Sequence, residues 1–356
     1  MINIAILGAG IGREHLAALR CLRDVFHVAA VVDTNAARIE EIRDGDSFAA
    51  LDDIATALAD PAIDVIDVCL PPHLHVPVTL QALAAGKHVI CEKPLATSMA
   101  QVDAITQAAA QAGKHVFPVF QYRWGPSLSQ LRHLMAHGLT GSLHSAALET
   151  YWSRGADYYA MPWRGTWEGE RGGVVLGHAI HNHDLLTHIA GDIASVSAMT
   201  ATRVNDIETE DCAAISLAMT SGALCTSSIT LGAAGDETRL RFAFEHLTAT
   251  SGTAPYAPGA MPWTFTARDP AKQPQIDAAV AQAPIEPVGF AGFFAEAGKA
   301  LNNLPNRSVK LDDGAASVAL VTAIYHAART GNRVTFPLPV THPLYHGWLP
   351  TTGEPA

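Results

Sequence analysis

Two side chains in this chain have the type and setting to move a proton. Lys93 sits in Val89-Ile90-Cys91-Glu92-Lys93-Pro94, at the carboxyl end of a predicted parallel strand, the edge where ligands bind in such sheets. Pro94 disfavours the helical region for Lys93, so the side chain is aimed from an extended backbone. A partly desolvated lysine there can hydrogen-bond a substrate hydroxyl and share in removing its proton. The second side chain is His181, in Gly172-Gly173-Val174-Val175-Leu176-Gly177-His178-Ala179-Ile180-His181-Asn182-His183-Asp184. On a helix starting near Gly177, His181 and Asp184 share a face with His188, which lets the acid orient an imidazole that exchanges protons near neutral pH. His178, His183 and His188 also suit a structural role. Histidines at helical spacing can chelate zinc, but no His-Glu-x-x-His pattern occurs, and no metal is expected.

The elements that must position these groups begin at the first residues. Ile4-Ala5-Ile6-Leu7 runs into Gly8-Ala9-Gly10-Ile11-Gly12 and then into the helix-like Glu14-His15-Leu16-Ala17-Ala18-Leu19. A strand ending in a glycine turn lets backbone N–H groups and a helix N-terminus face a pyrophosphate. A second apolar run, Val28–Val32, stops at Asp33, 21 residues beyond Gly12, where an acid accepts hydrogen bonds from an adenosine ribose and repels a 2′-phosphate. NAD is therefore expected in preference to NADP. The third glycine comes one residue earlier than in Gly-x-Gly-x-x-Gly, and Arg13 stands in its usual place.

Short strand-like runs at 2–7, 27–32, 64–69, 88–91 and 115–119 alternate with alanine-rich helical stretches, the pattern of a doubly wound parallel sheet. After Arg123-Trp124-Gly125-Pro126 the pattern changes. Alternating segments at 142–153, 193–204, 211–220, 223–232 and 237–246 suit an open, mostly antiparallel sheet. Helices are expected near 127–137, 178–190, 288–302 and 313–330, and a long surface loop over 252–287. The fold class is α/β, with an N-terminal Rossmann domain over 1–122 and a C-terminal α/β domain over 123–356 for substrate binding and oligomerisation.

The net charge of −11 and the lack of a basic block argue against a nucleic-acid partner. Five cysteines lack metal spacing and read as small hydrophobes. With no charged leader and no long apolar stretch, a cytoplasmic protein without membrane attachment is expected. The Leu224–Leu231 strand, apolar with serines and threonines, suggests a sheet face covered by a second copy, hence a homodimer or homotetramer.

The glycine turn, Asp33, Glu92-Lys93-Pro94 and the Gly-Gly…His181-x-x-Asp184 run resemble the glucose–fructose oxidoreductase, inositol dehydrogenase and MocA family over almost the whole chain. The resemblance implies NAD(P)-dependent oxidation or reduction at a secondary hydroxyl of a sugar, glycoside, cyclitol or related polyol. It puts the family's lysine on Lys93 and its helix histidine on His181. It also implies a cofactor site formed by Gly8, Gly10, Ile11, Gly12, Asp33, Leu70, Pro71, His75, Glu92 and Lys93. Arg123, Trp163, Arg164, His178, His181 and Asp184 are expected to meet substrate. Members commonly carry an aspartate four residues before the histidine, where this chain has Gly177; His181 and Lys93 then carry the proton between them, or His178 substitutes. Two other activities suit the same residues: glycoside cleavage by transient C3 oxidation and elimination, and a non-catalytic regulator that binds dinucleotide and sugar.

Overall fold

In the computed structural model, which describes residues 1–350, the chain divides into two compact units. The first comprises Met1–Phe120 and Phe290–Val318, the second Gln121–Gly289 and the chain from Ala319. Residues 351–356 of the C-terminal domain expected over 123–356 lie outside the described residues.

The first unit contains β1 (Ile2–Leu7), α1 (Gly12–Arg20), β2 (Phe26–Val32), α2 (Ala36–Arg43), β3 (Ala49–Leu51), α3 (Ile54–Ala59), β4 (Val65–Val68), α4 (Pro72–Ala84), β5 (His88–Cys91), α5 (Met99–Ala112) and β6 (Val116–Pro118). Six strands form one parallel sheet in the order β3-β2-β1-β4-β5-β6. The order reverses between β1 and β4, which places a crevice at their carboxyl ends. Both faces of the central strands are largely buried, so they read as mainly apolar runs; β1 carries a half-buried Asn3, and β4 carries Asp67 at 0% exposure. Side-chain caps fix several helix starts: Asn35 accepts from Ala37 N, Asp53 from Ala55 N and Ser98 from Gln101 N.

The second unit begins with α6 (Pro126–Ala136), β7 (Leu143–Ser153), the short helices α7 (Ala156–Tyr159) and α8 (Trp167–Glu170), and α9 (Ile180–Ala190). There follow β8 (Ile193–Ala201), β9 (Cys212–Met219), β10 (Leu224–Thr230), β11 (Gly232–Phe244), β12 (Leu247–Thr250), β13 (Thr264–Ala267) and α10 (Gln273–Gln282). α11 (Gly289–Leu301) returns the chain to the first unit from Phe290, the units divide again within α12 (Leu311–Thr330), and β14 (Val334–Thr335) belongs to the second. The eight-stranded sheet runs β13-β12-β11-β7-β10-β9-β8-β14, with β7 and β10 parallel and the other neighbours antiparallel. Its strands alternate. Ala213, Ile215, Leu217 and Met219 of β9 and Cys225, Ser227 and Ile229 of β10 are buried, while Ala214, Ser216, Leu224 and Thr226 are exposed. α9 lies on the buried face, where Asn182 Nδ2 donates to Thr150 Oγ1 of β7 and His183 Nε2 meets Ser227 Oγ of β10 at 3.0 Å.

Three expectations need correction. The cut at 122/123 misses that 290–318 belongs with the first unit; the reason is packing, since Phe294 meets Phe26 at 6.0 Å and Gly298 leaves no room for a Cβ beside Val25. The loop expected over 252–287 contains β13 and α10, which its proline- and alanine-rich composition masked. The helix expected from 178 is preceded by a π-helical turn, Val175–Ala179, that contains His178. No helix among the described residues is long and apolar enough to cross a membrane.

Candidate active site

In the first unit the glycines after β1 have distinct tasks. Gly8 has φ +101°, and a Cβ there would lie 2.4 Å from the Cys69 carbonyl oxygen, so the close approach of β1 and β4 at the sheet reversal requires glycine. A Cβ at Gly12 would meet Ile6 Cγ2 at 2.7 Å, so this glycine lets α1 pack down on β1. Gly10 is exposed with nothing within 4 Å of a built Cβ, and Ile11 beside it is exposed as well. The loop therefore presents open space directly before a helix N-terminus, which fits a dinucleotide pyrophosphate. Asp33 follows β2 with its Oδ2 accepting from Ala9 N at 2.9 Å and its Oδ1 from Asn35 N at 2.8 Å. It is not the cap of α2, which is Asn35. Its carboxylate is thereby fixed against the glycine loop, where a ribose would lie.

Leu70 and Pro71 follow β4 at the same edge. His75 is 1% exposed, and its two ring nitrogens lie 2.7 Å from the Pro94 and Leu70 carbonyl oxygens. Burial lowers its pKa, against the pull of those carbonyls. His75 braces the β4 and β5 strand ends. Lys93 is half-buried just beyond β5, its backbone N–H donating to Glu92 Oε2 at 3.1 Å, and the Lys93–Pro94 peptide is cis.

Glu92 leads to a cluster that sequence reasoning missed. His15 of α1 is 0% exposed; its Nδ1 lies 2.9 Å from Asp67 Oδ2 and its Nε2 3.1 Å from Glu92 Oε1, with Cys69 Sγ 3.3 Å from Nδ1. Burial alone would lower the His15 pKa, but the Asp67 carboxylate and Cys69 together outweigh it and hold the pKa well above the ordinary value. Burial pushes the Cys69 thiol up. His15, Asp67 and Cys69 offer ligand atoms within 4.8 Å of one another, but the N···O spacings are those of hydrogen bonds. The signal was an acid inside the apolar run Val65-Ile66-Asp67-Val68.

In the second unit His181 is 5% exposed, its ring stacked on Tyr122 at 4.6 Å and 23°. Asp184 accepts from Arg123 Nε at 2.8 Å and Nη2 at 2.5 Å, both side chains buried. These two residues therefore make a bidentate ion pair with each other. His178 meets the Tyr158 hydroxyl at 3.4 Å and the edge of Trp152 at 5.3 Å. Arg164 covers the rings of Tyr158 at 4.0 Å and Trp163 at 4.5 Å, hydrogen-bonds the Tyr158 hydroxyl and pairs with Glu170 at 3.2 Å. Arg154 lies over Trp152 and Tyr158 and pairs with Asp236 at 2.9 Å. Burial raises the Tyr158 pKa, so its hydroxyl stays protonated. Trp152 and Arg154 were not singled out, because only the sheet brings them beside His178 and Tyr158.

Glu210 anchors the turn that leads into α9. It is fully buried, and its carboxylate accepts from Gly173 N at 3.1 Å, Val175 N at 3.1 Å and Tyr325 Oη at 2.9 Å. Burial raises its pKa to about 7, against the opposing pull of these donors. Gly173 is needed here, since a Cβ would fall 1.9 Å from the Glu210 carbonyl oxygen.

Residues 2–120 match the family described as "Oxidoreductase family, NAD-binding Rossmann fold", and residues 128–250 match the GFO/IDH/MocA C-terminal domain. The chain is 27% identical to an uncharacterised oxidoreductase, sll0816, of Synechocystis, over 66% of this chain and 67% of that protein. It is 28% identical to the D-glucoside 3-dehydrogenase of Escherichia coli, over 53% of this chain and 54% of the relative, so it spans about half the length of that enzyme. Among solved structures, the WlbA dehydrogenase of Chromobacterium violaceum, in complex with NADH and UDP-GlcNAcA, superposes with a TM-score of 0.83 at 28% identity, covering 95% of this chain and 96% of that one.

Proposed function

The chain belongs to the GFO/IDH/MocA oxidoreductase family, and from that premise we propose that it transfers a hydride between NAD and a secondary hydroxyl of a neutral sugar, glycoside, cyclitol or related polyol. The observation that carries this reading is the placing of Lys93 beyond β5, at the same sheet edge as the glycine turn after β1, with only β4 between the two strands. NAD, when bound, supplies the hydride acceptor at its nicotinamide. The chain's own part is to hold the hydroxyl and manage its proton. Lys93 Nζ, in the first unit, donates a hydrogen bond to the hydroxyl oxygen; in the second unit the His181 imidazole, its ring stacked on Tyr122, is a proton acceptor by type. Asp33, its carboxylate held against the glycine loop, supports NAD over NADP, because a carboxylate there would repel a 2′-phosphate.

The preference for a neutral substrate rests on charge matching. Arg123, Arg154 and Arg164 meet Asp184, Asp236 and Glu170 respectively, so these guanidinium groups are already neutralised by carboxylates. Trp152, Tyr158 and Trp163 add ring surfaces suited to the apolar faces of a sugar. The exposed small residues of β9 and β10, with Met199 and Leu224 at 71% and 64% exposure, support a homodimer or homotetramer covering that sheet face.

NAD reduction screened across aldoses, inositols, glycosides, sugar acids and UDP-GlcNAcA, with the oxidised carbon mapped, tests the reading. Turnover confined to the acidic compounds would overturn the neutral class, and aglycone release without net NADH would replace dehydrogenation by elimination. Lys93→Met should lower kcat by about 10²- to 10⁴-fold while the NADH Kd stays within about twofold.

A further inference from the structure

We propose that His15, clamped between Asp67 and Glu92, is a positioning residue for Lys93, acting through the Glu92 carboxylate that receives the Lys93 backbone N–H. The connection is continuous and lies wholly in the first unit. Asp67 meets Nδ1 of His15 at 2.9 Å, Nε2 meets Glu92 Oε1 at 3.1 Å, and Glu92 Oε2 accepts from Lys93 N at 3.1 Å. Three elements are thereby tied at the carboxyl edge of the sheet: α1 beyond the glycine turn, β4 through Asp67, and the segment after β5 that bears Lys93.

A merely structural cluster is a poor account of this arrangement. Burying ionised groups costs several kcal/mol each, and well-packed apolar side chains of similar volume serve stability as well or better. Phe290 and Phe294 enclose the His15 ring at 4.7 and 5.2 Å, so an apolar neighbourhood is already present. What an apolar replacement lacks is direction. A charged imidazole donates from both nitrogens and fixes Asp67 and Glu92 together, whereas a neutral ring has one N–H and must release one of them. The titratable groups facing the ring are Asp67, Cys69 and Glu92. With the pKa of His15 raised, the ring keeps its second proton through neutral pH, and the clamp loosens only as pH rises through that higher value.

This inference rests on Lys93 being the group that holds the substrate hydroxyl, and the experiment separates the two. Wild type, Asp67→Asn, His15→Gln and Lys93→Met are compared by kcat and KM from pH 6 to 10 and by NADH fluorescence titration. Asp67→Asn keeps a hydrogen-bond acceptor for Nδ1 but removes the charge that holds the second proton. Its kcat should fall about tenfold or more at pH 8 to 9 and recover toward pH 6, moving the alkaline limb to lower pH, with NADH Kd and KM changed by less than about threefold. His15→Gln should lower kcat at every pH. Profiles for both variants that superpose on wild type, with Lys93→Met inactive, would overturn the positioning role alone. Full turnover by Lys93→Met would overturn the Lys93 assignment and this inference with it.

Discussion

At the cofactor end the proposed preference for NAD rests on one side chain, Asp33. Its carboxylate is held by Ala9 N of the glycine turn and by Asn35 N rather than by a distant charge, so a serine in its place removes the charge and keeps a side-chain acceptor beside the turn. Asp33→Ser should therefore raise kcat/KM for NADP by about tenfold or more and lower that for NAD, measured as steady-state ratios on one substrate. An unchanged ratio would remove Asp33 from cofactor choice. At this scale the sequence was informative where chemistry is local. Gly8, Gly12 and Asp33 follow strands a short distance apart, and their tasks can be read from order alone. His15, Asp67 and Glu92 could not be joined in that way, because they lie 52 and 77 residues apart and meet only once β4 and β5 take their places beside β1. Asp184 was assigned to His181 from helical spacing, and the bidentate partner it takes, Arg123, comes from 61 residues away.

The element whose setting matters most is α9 with the π turn before it. Asn182 and His183 anchor the helix to β7 and β10, leaving His181 and Asp184 to face elsewhere, and Glu210 caps the entry through Gly173 N and Val175 N. The cap carries a pH signature. A buried carboxyl whose pKa rises from 4.5 to about 7 takes up its proton more readily folded than unfolded, so its contribution to stability is fully present below pH 4.5 and is lost as pH rises toward 7. The change amounts to about 3 kcal/mol, and thermal melts of Glu210→Gln should lack that slope. Glu210→Ala should lose about 2–4 kcal/mol, because it strands two buried N–H groups. A wild-type-like slope in Glu210→Gln would show that another group carries it. Element types were legible where the apolar period was long, as in β1, β7 and α12. β3 is three residues long, β13 four, and α10 is poor in large apolar residues, so each fell below what a periodic pattern can reveal. The parallel pairing of β7 with β10 is non-local and has no sequence signature.

Across the whole molecule, the return of Phe290–Val318 to the first unit makes that unit discontinuous in the chain. Phe293 and Phe294 are buried there at 1% and 0% exposure, and Phe290 stands against His15. A fragment of residues 1–120 should therefore melt without a cooperative transition and bind a hydrophobic dye, whereas the same fragment joined by a short linker to 289–318 should melt cooperatively. Equal melts for the two fragments would show that the returning segment adds nothing to the fold. The same discontinuity governs how this enzyme can be recombined with its relatives. A single crossover near residue 122 would import a foreign α11 against a native α1 and mismatch the wall around His15. Chimaeras meant to exchange only the substrate half need three junctions, after residues 120, 289 and 318, so that the cofactor half is inherited whole.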